Sequence, residues 1–217
     1  MDKKSKRVGI MGGTFNPVHI GHLLIAEQSY REYELDHVIF MPAGHPPHKQ
    51  DQEIVSNHDR LAMLRLAVEG VPYFRVSDYE INKHGLSYTY ETLEYLTGIA
   101  PDTRFYFIMG ADSVKDLTHW CRPERILELA HILAAVRGDT DMEMLNREAE
   151  LLRCTYQAKI SLLGAPELDI SSRELRDRVK NHASIRFMVP EKVNFYIHFH
   201  HLYEKSNTPP QADGAWK

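Results

Sequence analysis

Short apolar runs alternate with longer mixed segments along most of this chain. Val8 to Met11 is a run of strand type, and the adjacent glycines Gly12 and Gly13 turn the chain out of it. Gly21 to Tyr33 reads as a helix, with Leu24, Ile25 and Tyr30 available for its buried side. His37 to Pro42 is apolar throughout, which suits a strand buried on both faces of a parallel sheet. Ala43 to Val55 reads as a long loop, and long ordered loops are often functional. Ser56 to Asp59 has the form of a capping box, and Arg60 to Glu69 continues as an amphipathic helix. Phe74 to Ile81 alternates apolar and polar residues as a strand does, and the hydroxyls of the turn Gly85 to Thr89 are placed to cap a helix over Tyr90 to Thr97.

The same alternation runs on to the C-terminal region. Arg104 to Met109 is a strand ended by Gly110-Ala111-Asp112-Ser113, and a short helix and Trp120 follow. Pro123 to Ala130 is a helix with proline near its first turn. His131 to Val136 is a strand, Asp141 to Leu152 a helix and Lys159 to Leu163 a strand. Helices run from Ile170-Ser171-Ser172 to about Asn181, and from Pro190 to Tyr203. Strands alternating with helices predict an α/β fold of Rossmann-like, doubly wound type, with a mainly parallel sheet and helices on both faces. Ligands of such folds bind beyond the carboxyl ends of the strands. Gly12, the Gly44 to Lys49 segment, Asp112 and Ser171 all follow predicted strands, so the scattered candidates converge on one site.

Composition narrows the class. The 217 residues are 43% hydrophobic and 26% charged, enough to bury a core. One domain over residues 1–205 is expected, followed by a polar, loose tail at 206–217. A formal net charge of -4 gives no basic field for nucleic acid. Cys121 and Cys154 have neither metal-ligand nor disulfide spacing, which suggests a reducing compartment. The apolar run after Met1 to Arg7 is too short for a signal-peptide core or a membrane span, so a cytoplasmic protein without membrane contact is expected. The sequence leaves homo-oligomer formation open.

The chemistry concentrates after the first strand, at Gly12-Gly13-Thr14-Phe15-Asn16-Pro17-Val18-His19-Ile20-Gly21-His22. A glycine turn before a helix N-terminus leaves backbone N–H groups for phosphate. His19 and His22 can add donors where a phosphate gains charge. The turn has neither the lysine of a Walker A loop nor dinucleotide-fingerprint spacing. The histidines could instead share a metal, but no third ligand has supporting local spacing, so no protein-bound metal is expected. Ser171, Ser172, Arg173 and Arg176 could hold a polyphosphate at a helix start, or Ser171 and Glu174 could form a plain capping box. Trp120 could stack on a flat ring or pack in the core. Thr89 is open between helix cap and ligand contact. Lys49 offers positive charge on the long loop.

These residues resemble a known family. His19-Ile20-Gly21-His22 resembles the (His/Thr)-x-Gly-His signature of a nucleotidyltransferase superfamily, and Ile170-Ser171-Ser172-Arg173-Glu174-Leu175-Arg176 its second signature. Pro46-Pro47-His48-Lys49, Ser87-Tyr88-Thr89, Gly110-Ala111-Asp112-Ser113 and Trp120 narrow the resemblance to the bacterial nicotinate-nucleotide adenylyltransferases, over Val8 to Tyr203. The resemblance implies transfer of the adenylyl group of ATP, with Mg2+, to nicotinate mononucleotide, giving nicotinate adenine dinucleotide and pyrophosphate in NAD biosynthesis. It implies catalytic roles for His19, His22 and Arg176. It implies an ATP site formed by Gly12, Gly13, Thr14, Phe15, Gly21, Gly110, Asp112, Ile170, Ser171 and Ser172. The nicotinate mononucleotide site would draw on Lys49, Thr89 and Trp120. Arg173 and Cys121 depart from what some members carry at those positions. The rivals are another adenylyl- or cytidylyltransferase, acting on nicotinamide mononucleotide or pantetheine phosphate, and a nucleotide-binding module without turnover.

Overall fold

The computed structural model describes residues 5–45, 54–136, 142–164, 168 and 170–204, with the backbone alone at position 112. In chain order the elements are β1 Lys6–Gly13, α1 Ile20–Glu32, β2 His37–Pro42, α2 Asn57–Val68, β3 Phe74–Val76, α3 Tyr79–Asn82 and α4 Thr89–Ile99. There follow β4 Thr103–Gly110, α5 Ala111–Asp116, a 3-10 turn Leu117–His119, α6 Pro123–Leu129, β5 Ala130–Val136, α7 Met142–Tyr156, β6 Ile160–Gly164, α8 Ser172–Lys180 and α9 Glu191–Phe199. The expected tail at 206–217 lies outside the described residues. No described helix is long and apolar enough to cross a membrane.

The strands form one six-stranded sheet in the order β3-β2-β1-β4-β5-β6, and every pairing is parallel. The order reverses at β1, which pairs with β2 from Val8 opposite His37 and with β4 from Lys6 opposite Thr103. Beyond the carboxyl ends of β1 and β4, the chain therefore departs in opposite directions and opens a crevice. This is the doubly wound fold that the alternating pattern predicts.

The pleat divides the core in two. Met11, Phe40, Ile108 and Leu133 point to one face, packed beneath α1, α2, α8 and α9. Val8, Ile10, Phe105, Phe107 and Ile132 point to the other, beneath α4, α5, α6 and α7. Successive side chains of a strand face opposite ways, so a strand apolar at every position must be covered on both sides.

Several boundaries differ from the sequence pattern, each for a tertiary reason. The strand expected over Phe74 to Ile81 stops at Val76, because β3 is an edge strand paired only with Val38 to Phe40. Its second half becomes α3, where Tyr79 stacks on Tyr95 at 4.1 Å and Glu80 is buried. The hydroxyls before α4 do not cap it: Tyr88 occupies the N-cap without a side-chain bond. Ser87 Oγ instead accepts from the N–H groups of Gly44 and His45, at 3.2 and 3.3 Å. In α1 the buried positions are Gly21, Ile25, Ala26 and Ser29, while Leu24 is only half-buried and Tyr30 stacks on Tyr73. α9 ends at Phe199 rather than Tyr203, since His201 and Tyr203 take positive φ values of 51° and 66°. By contrast, Ser56 caps α2 as expected, accepting from Asp59 N–H at 3.1 Å.

Gly44 marks a close passage of the β2 exit against α3. A Cβ there would lie 2.2 Å from the carbonyl oxygen of Glu80, which is backbone and cannot swing aside. Gly44→Ala should therefore lower stability by about 1–3 kcal/mol, the usual range for overpacking. Urea unfolding measures it, and a loss under about 0.5 kcal/mol would show that the β2 exit is slack.

Candidate active site

Two hollows meet at the switch point. The larger, of about 280 Å³, is lined by the β1 turn at Gly12, Gly13 and Thr14, by Ser87 to Thr89, by Glu80 and by Trp120. Its floor is apolar: Ile10, Met41, Phe107 and Met109. The smaller, of about 230 Å³, is lined by His22, Ile25, Ala111 and Ala135. Gly12, Met109, Gly110 and Ser113 line both, so the two open on either side of the β1 and β4 ends. A ligand with a flat ring at one end and phosphates at the other could span them.

The turn between β1 and α1 is held by its carbonyls. Arg60 on α2 is fully buried and donates to Thr14 O at 2.7 Å, Ala43 O at 2.6 Å and Gly44 O at 3.4 Å, and also to Asn57 Oδ1. Burial lowers its pKa from the usual arginine value. Arg176 donates to Asn16 O at 2.8 Å and Ser172 Oγ to Pro17 O at 2.8 Å. Asn16 Oδ1 accepts from Val55 N–H at 3.3 Å and from the Tyr203 hydroxyl at 2.9 Å. Burial raises the Tyr203 pKa, which keeps that hydroxyl a donor. In a trans peptide unit the C=O and N–H point opposite ways, so carbonyls drawn toward Arg60 turn the following N–H groups away from it. The geometry is visible at Gly44 and His45, whose N–H groups meet Ser87 Oγ while the preceding carbonyls meet Arg60. The same rule turns Phe15 N–H away from Arg60.

The histidines lie in layers. His19 is the N-cap of α1 and is 2% exposed. His22 stands over it, with ring centroids 3.7 Å apart, and lines the smaller hollow. His22 Nδ1 accepts from the His19 backbone N–H at 3.2 Å. With Nδ1 accepting, the neutral ring carries its proton on Nε2 and offers that N–H as a donor. A Cβ on Gly21 would press on the His19 ring at 3.1 Å, so glycine leaves room for the pair. Phe15, at φ 50°, tucks its ring beneath Gly13 and against the edge of His22 at 5.1 Å.

The expected site residues are thus partly brought together. Gly12, Gly13, Thr14, Gly110, Thr89 and Trp120 line the larger hollow, and His22 the smaller. Phe15, His19, Gly21 and Ile170 are buried and are not part of either lining. Ser171 caps α8, accepting from Glu174 N–H at 3.1 Å, and faces a shallow outer hollow shared with Arg173. Ser172 and Arg176 reach the site through the carbonyls of the turn. Lys49 lies outside the described residues, and so does the Asp112 side chain. Exposed Cys121 lines the larger hollow. Among the described residues, no group of three or more His, Cys, Asp or Glu side chains is placed to hold a metal ion.

The sequence pattern does not single out Arg60 or Glu80. For Arg60 a signal exists: it shares helical spacing with Met63, Leu64 and Ala67, which are all buried. Arg60→Met should leave its carbonyl partners without a buried donor and lower stability by about 2–4 kcal/mol. Chemical denaturation measures this, and a loss below about 0.5 kcal/mol would mean the guanidinium is dispensable to the turn.

Comparison with known proteins gives a consistent picture. The cytidylyltransferase-like family profile matches residues 10–178. A protein of Lachnoclostridium phytofermentans, described as a probable nicotinate-nucleotide adenylyltransferase, is 46% identical over 91% of this chain and 99% of its own length. A Synechococcus protein of the same description is 44% identical over 93% of this chain and 97% of its own. Among solved structures, Plasmodium falciparum nicotinic acid mononucleotide adenylyltransferase complexed with NaAD superposes with a TM-score of 0.75 at 19% identity, covering 91% of this chain and 97% of that one.

Proposed function

The chain belongs to the cytidylyltransferase-like family and, within it, to the nicotinate-nucleotide adenylyltransferases, and from that premise we propose how it acts. It transfers the adenylyl group of ATP to nicotinate mononucleotide, a step of NAD biosynthesis. A phosphate oxygen of the mononucleotide attacks the α-phosphorus of ATP in line. The bond from that phosphorus to the bridging oxygen breaks, and pyrophosphate leaves with its electron pair. No covalent enzyme intermediate is needed, so the protein supplies position and charge stabilisation.

One observation carries this reading: a hollow with Trp120 and a hollow with His22 meet at Gly12 and Gly110. The pyridine ring would enter the first, against Trp120 and Thr89. The ATP phosphates would lie over the β1 turn near His22, whose Nε2–H would donate to the oxygens that gain charge. His19 would hold His22 in its tautomer through its backbone N–H. Gly12, Gly13, Thr14 and Gly110 would let the nucleotide approach the backbone. Phe15, Gly21 and Ile170 would support that surface from behind. Arg176 and Ser172 would anchor the turn and meet the leaving pyrophosphate, and Lys49 would approach the phosphate of the mononucleotide. Asp112 would contact a ribose. Mg2+ would enter as part of the ATP substrate, held largely by phosphate oxygens and water, since it is seldom caged by protein alone.

The choice of nicotinate over nicotinamide has a physical basis at α4. Tyr88 and Thr89 line the larger hollow at the start of this helix, and no side chain caps it. Uncapped N–H groups at a helix N-terminus favour an anionic carboxylate over a neutral carboxamide.

Pyrophosphate release with ATP should be fast with nicotinate mononucleotide, slower with nicotinamide mononucleotide and absent with pantetheine phosphate. Release with pantetheine phosphate alone would assign the chain to another acceptor. ATP binding without release from any acceptor would make it a non-catalytic module. His22→Ala should lower kcat by about 10²-fold, the loss typical of one transition-state donor, with little change in KM for ATP. Equal changes in both would place His22 in ground-state binding instead.

A further inference from the structure

We propose that Glu80 supplies the counter-charge for the cationic ring of the acceptor, so that the site selects pyridinium over neutral rings of the same shape. The inference rests on the pyridine-mononucleotide reading above. Glu80 lies on α3, is 8% exposed and lines the larger hollow together with Trp120. Among the described residues its carboxylate has one hydrogen-bond partner, the Thr92 hydroxyl at 2.6 Å. The neighbouring cation, Lys83, pairs its ammonium with Glu91. No described cation therefore contacts the Glu80 carboxylate, and burial outweighs the Thr92 hydrogen bond and the pull of Lys83 and pushes its pKa up.

A buried carboxylate without a cation is costly. A ligand that brings positive charge into the hollow relieves that cost. The ring nitrogen of a pyridine mononucleotide is bonded to the ribose and carries a formal positive charge. An indole attracts the same charge through its π face. Carboxylate and indole on one small hollow thus favour the same ring: flat and cationic. A neutral ring would keep the dispersion contacts and lose both electrostatic ones.

The competing account makes Glu80 a strut between α3 and α4 through Thr92. Binding of nicotinate mononucleotide and of its 1,4-dihydro form, whose ring is neutral, separates the two when measured by calorimetry. The wild type should prefer the cationic ring by about tenfold or more, the range of a partly desolvated cation contact. Glu80→Gln keeps the shape and should lose most of that preference, with KM for ATP within about twofold of the wild type. Thr92→Val removes the strut bond and keeps the charge, so it should retain the preference, and this variant decides the matter if Glu80→Gln does not fold. Equal binding of both rings by the wild type would overturn the proposal. So would an unchanged preference in Glu80→Gln, or its loss in Thr92→Val. The functional reading is tested apart from this: turnover of nicotinate mononucleotide without ring preference overturns only the role of Glu80. Ring preference without turnover overturns the reading and leaves Glu80 as a pyridinium site.

Discussion

The buried guanidinium of Arg60 ties together segments that would otherwise meet only loosely. It reaches from α2 to the turn after β1 and to the exit of β2, donating to Thr14, Ala43 and Gly44 carbonyls. A carbonyl accepts without carrying a full charge, so the Nη groups of this cation are held by dipoles and not by a carboxylate, while its buried Nε has no described partner. The desolvation that such burial costs appears in its lowered pKa, and short hydrogen bonds offset it. The same bonds set the direction of the backbone. With carbonyls turned to Arg60, on the α1 and α2 side of the sheet, the following N–H groups face the other way. At Gly44 and His45 they meet Ser87, the residue that leads into Tyr88 and Thr89. One side chain thereby spaces the glycine turn against the larger hollow.

The site is also closed from the far end of the chain. Ser172, Arg176 and Tyr203 bond to Pro17, Asn16 and Asn16, across separations of 155, 160 and 187 residues. In a doubly wound sheet the first strand is central, so both wings fold back onto it. The turn after β1 is then the one place that α2, α8 and the C-terminal segment can all reach. This explains why residues so distant in sequence converge on Asn16 and its neighbours. It also explains the layered histidines. His19 is committed to the start of α1, and its backbone N–H presents His22 in a single tautomer.

Local pattern made the parallel sheet legible, while the strand order β3-β2-β1-β4-β5-β6 came only with the structure. The continuous apolar runs of β1, β2, β4 and β5 can be covered only by helices on both faces, and the alternation of elements leaves few other topologies. Ser56 and Ser171 cap α2 and α8 as their spacing suggests. What stayed hidden depends on long-range partners. Ser87 looks like a helix cap until the β2 exit brings two N–H groups to it. Phe74 to Ile81 alternates like a strand, yet an edge strand continues only as far as its one neighbour pairs with it. Glu80 then turns inward because α4 supplies Thr92. Arg60 reads as one more charge on an amphipathic helix, although its spacing with Met63, Leu64 and Ala67 puts it on the buried face.

The larger hollow is electrically polarised in a way that composition cannot show. Its lining includes Glu80 and the start of α4 at Tyr88 and Thr89, where no described side chain caps the helix. A helix N-terminus carries partial positive charge, so the two features have opposite sign within one small space. A zwitterion, with a cationic ring and an anionic substituent, satisfies both at once in a single orientation. A ring lacking either charge leaves one wall unmatched, and a flipped ring mismatches both. On the proposed reading, Trp120 would restrict the remaining freedom to the plane of the ring. Orientation would then follow from the field of the site and not from any one contact. That orientation would fix where the ribose and its phosphate emerge, and the proposed in-line attack requires them to emerge toward Gly12 and Gly110.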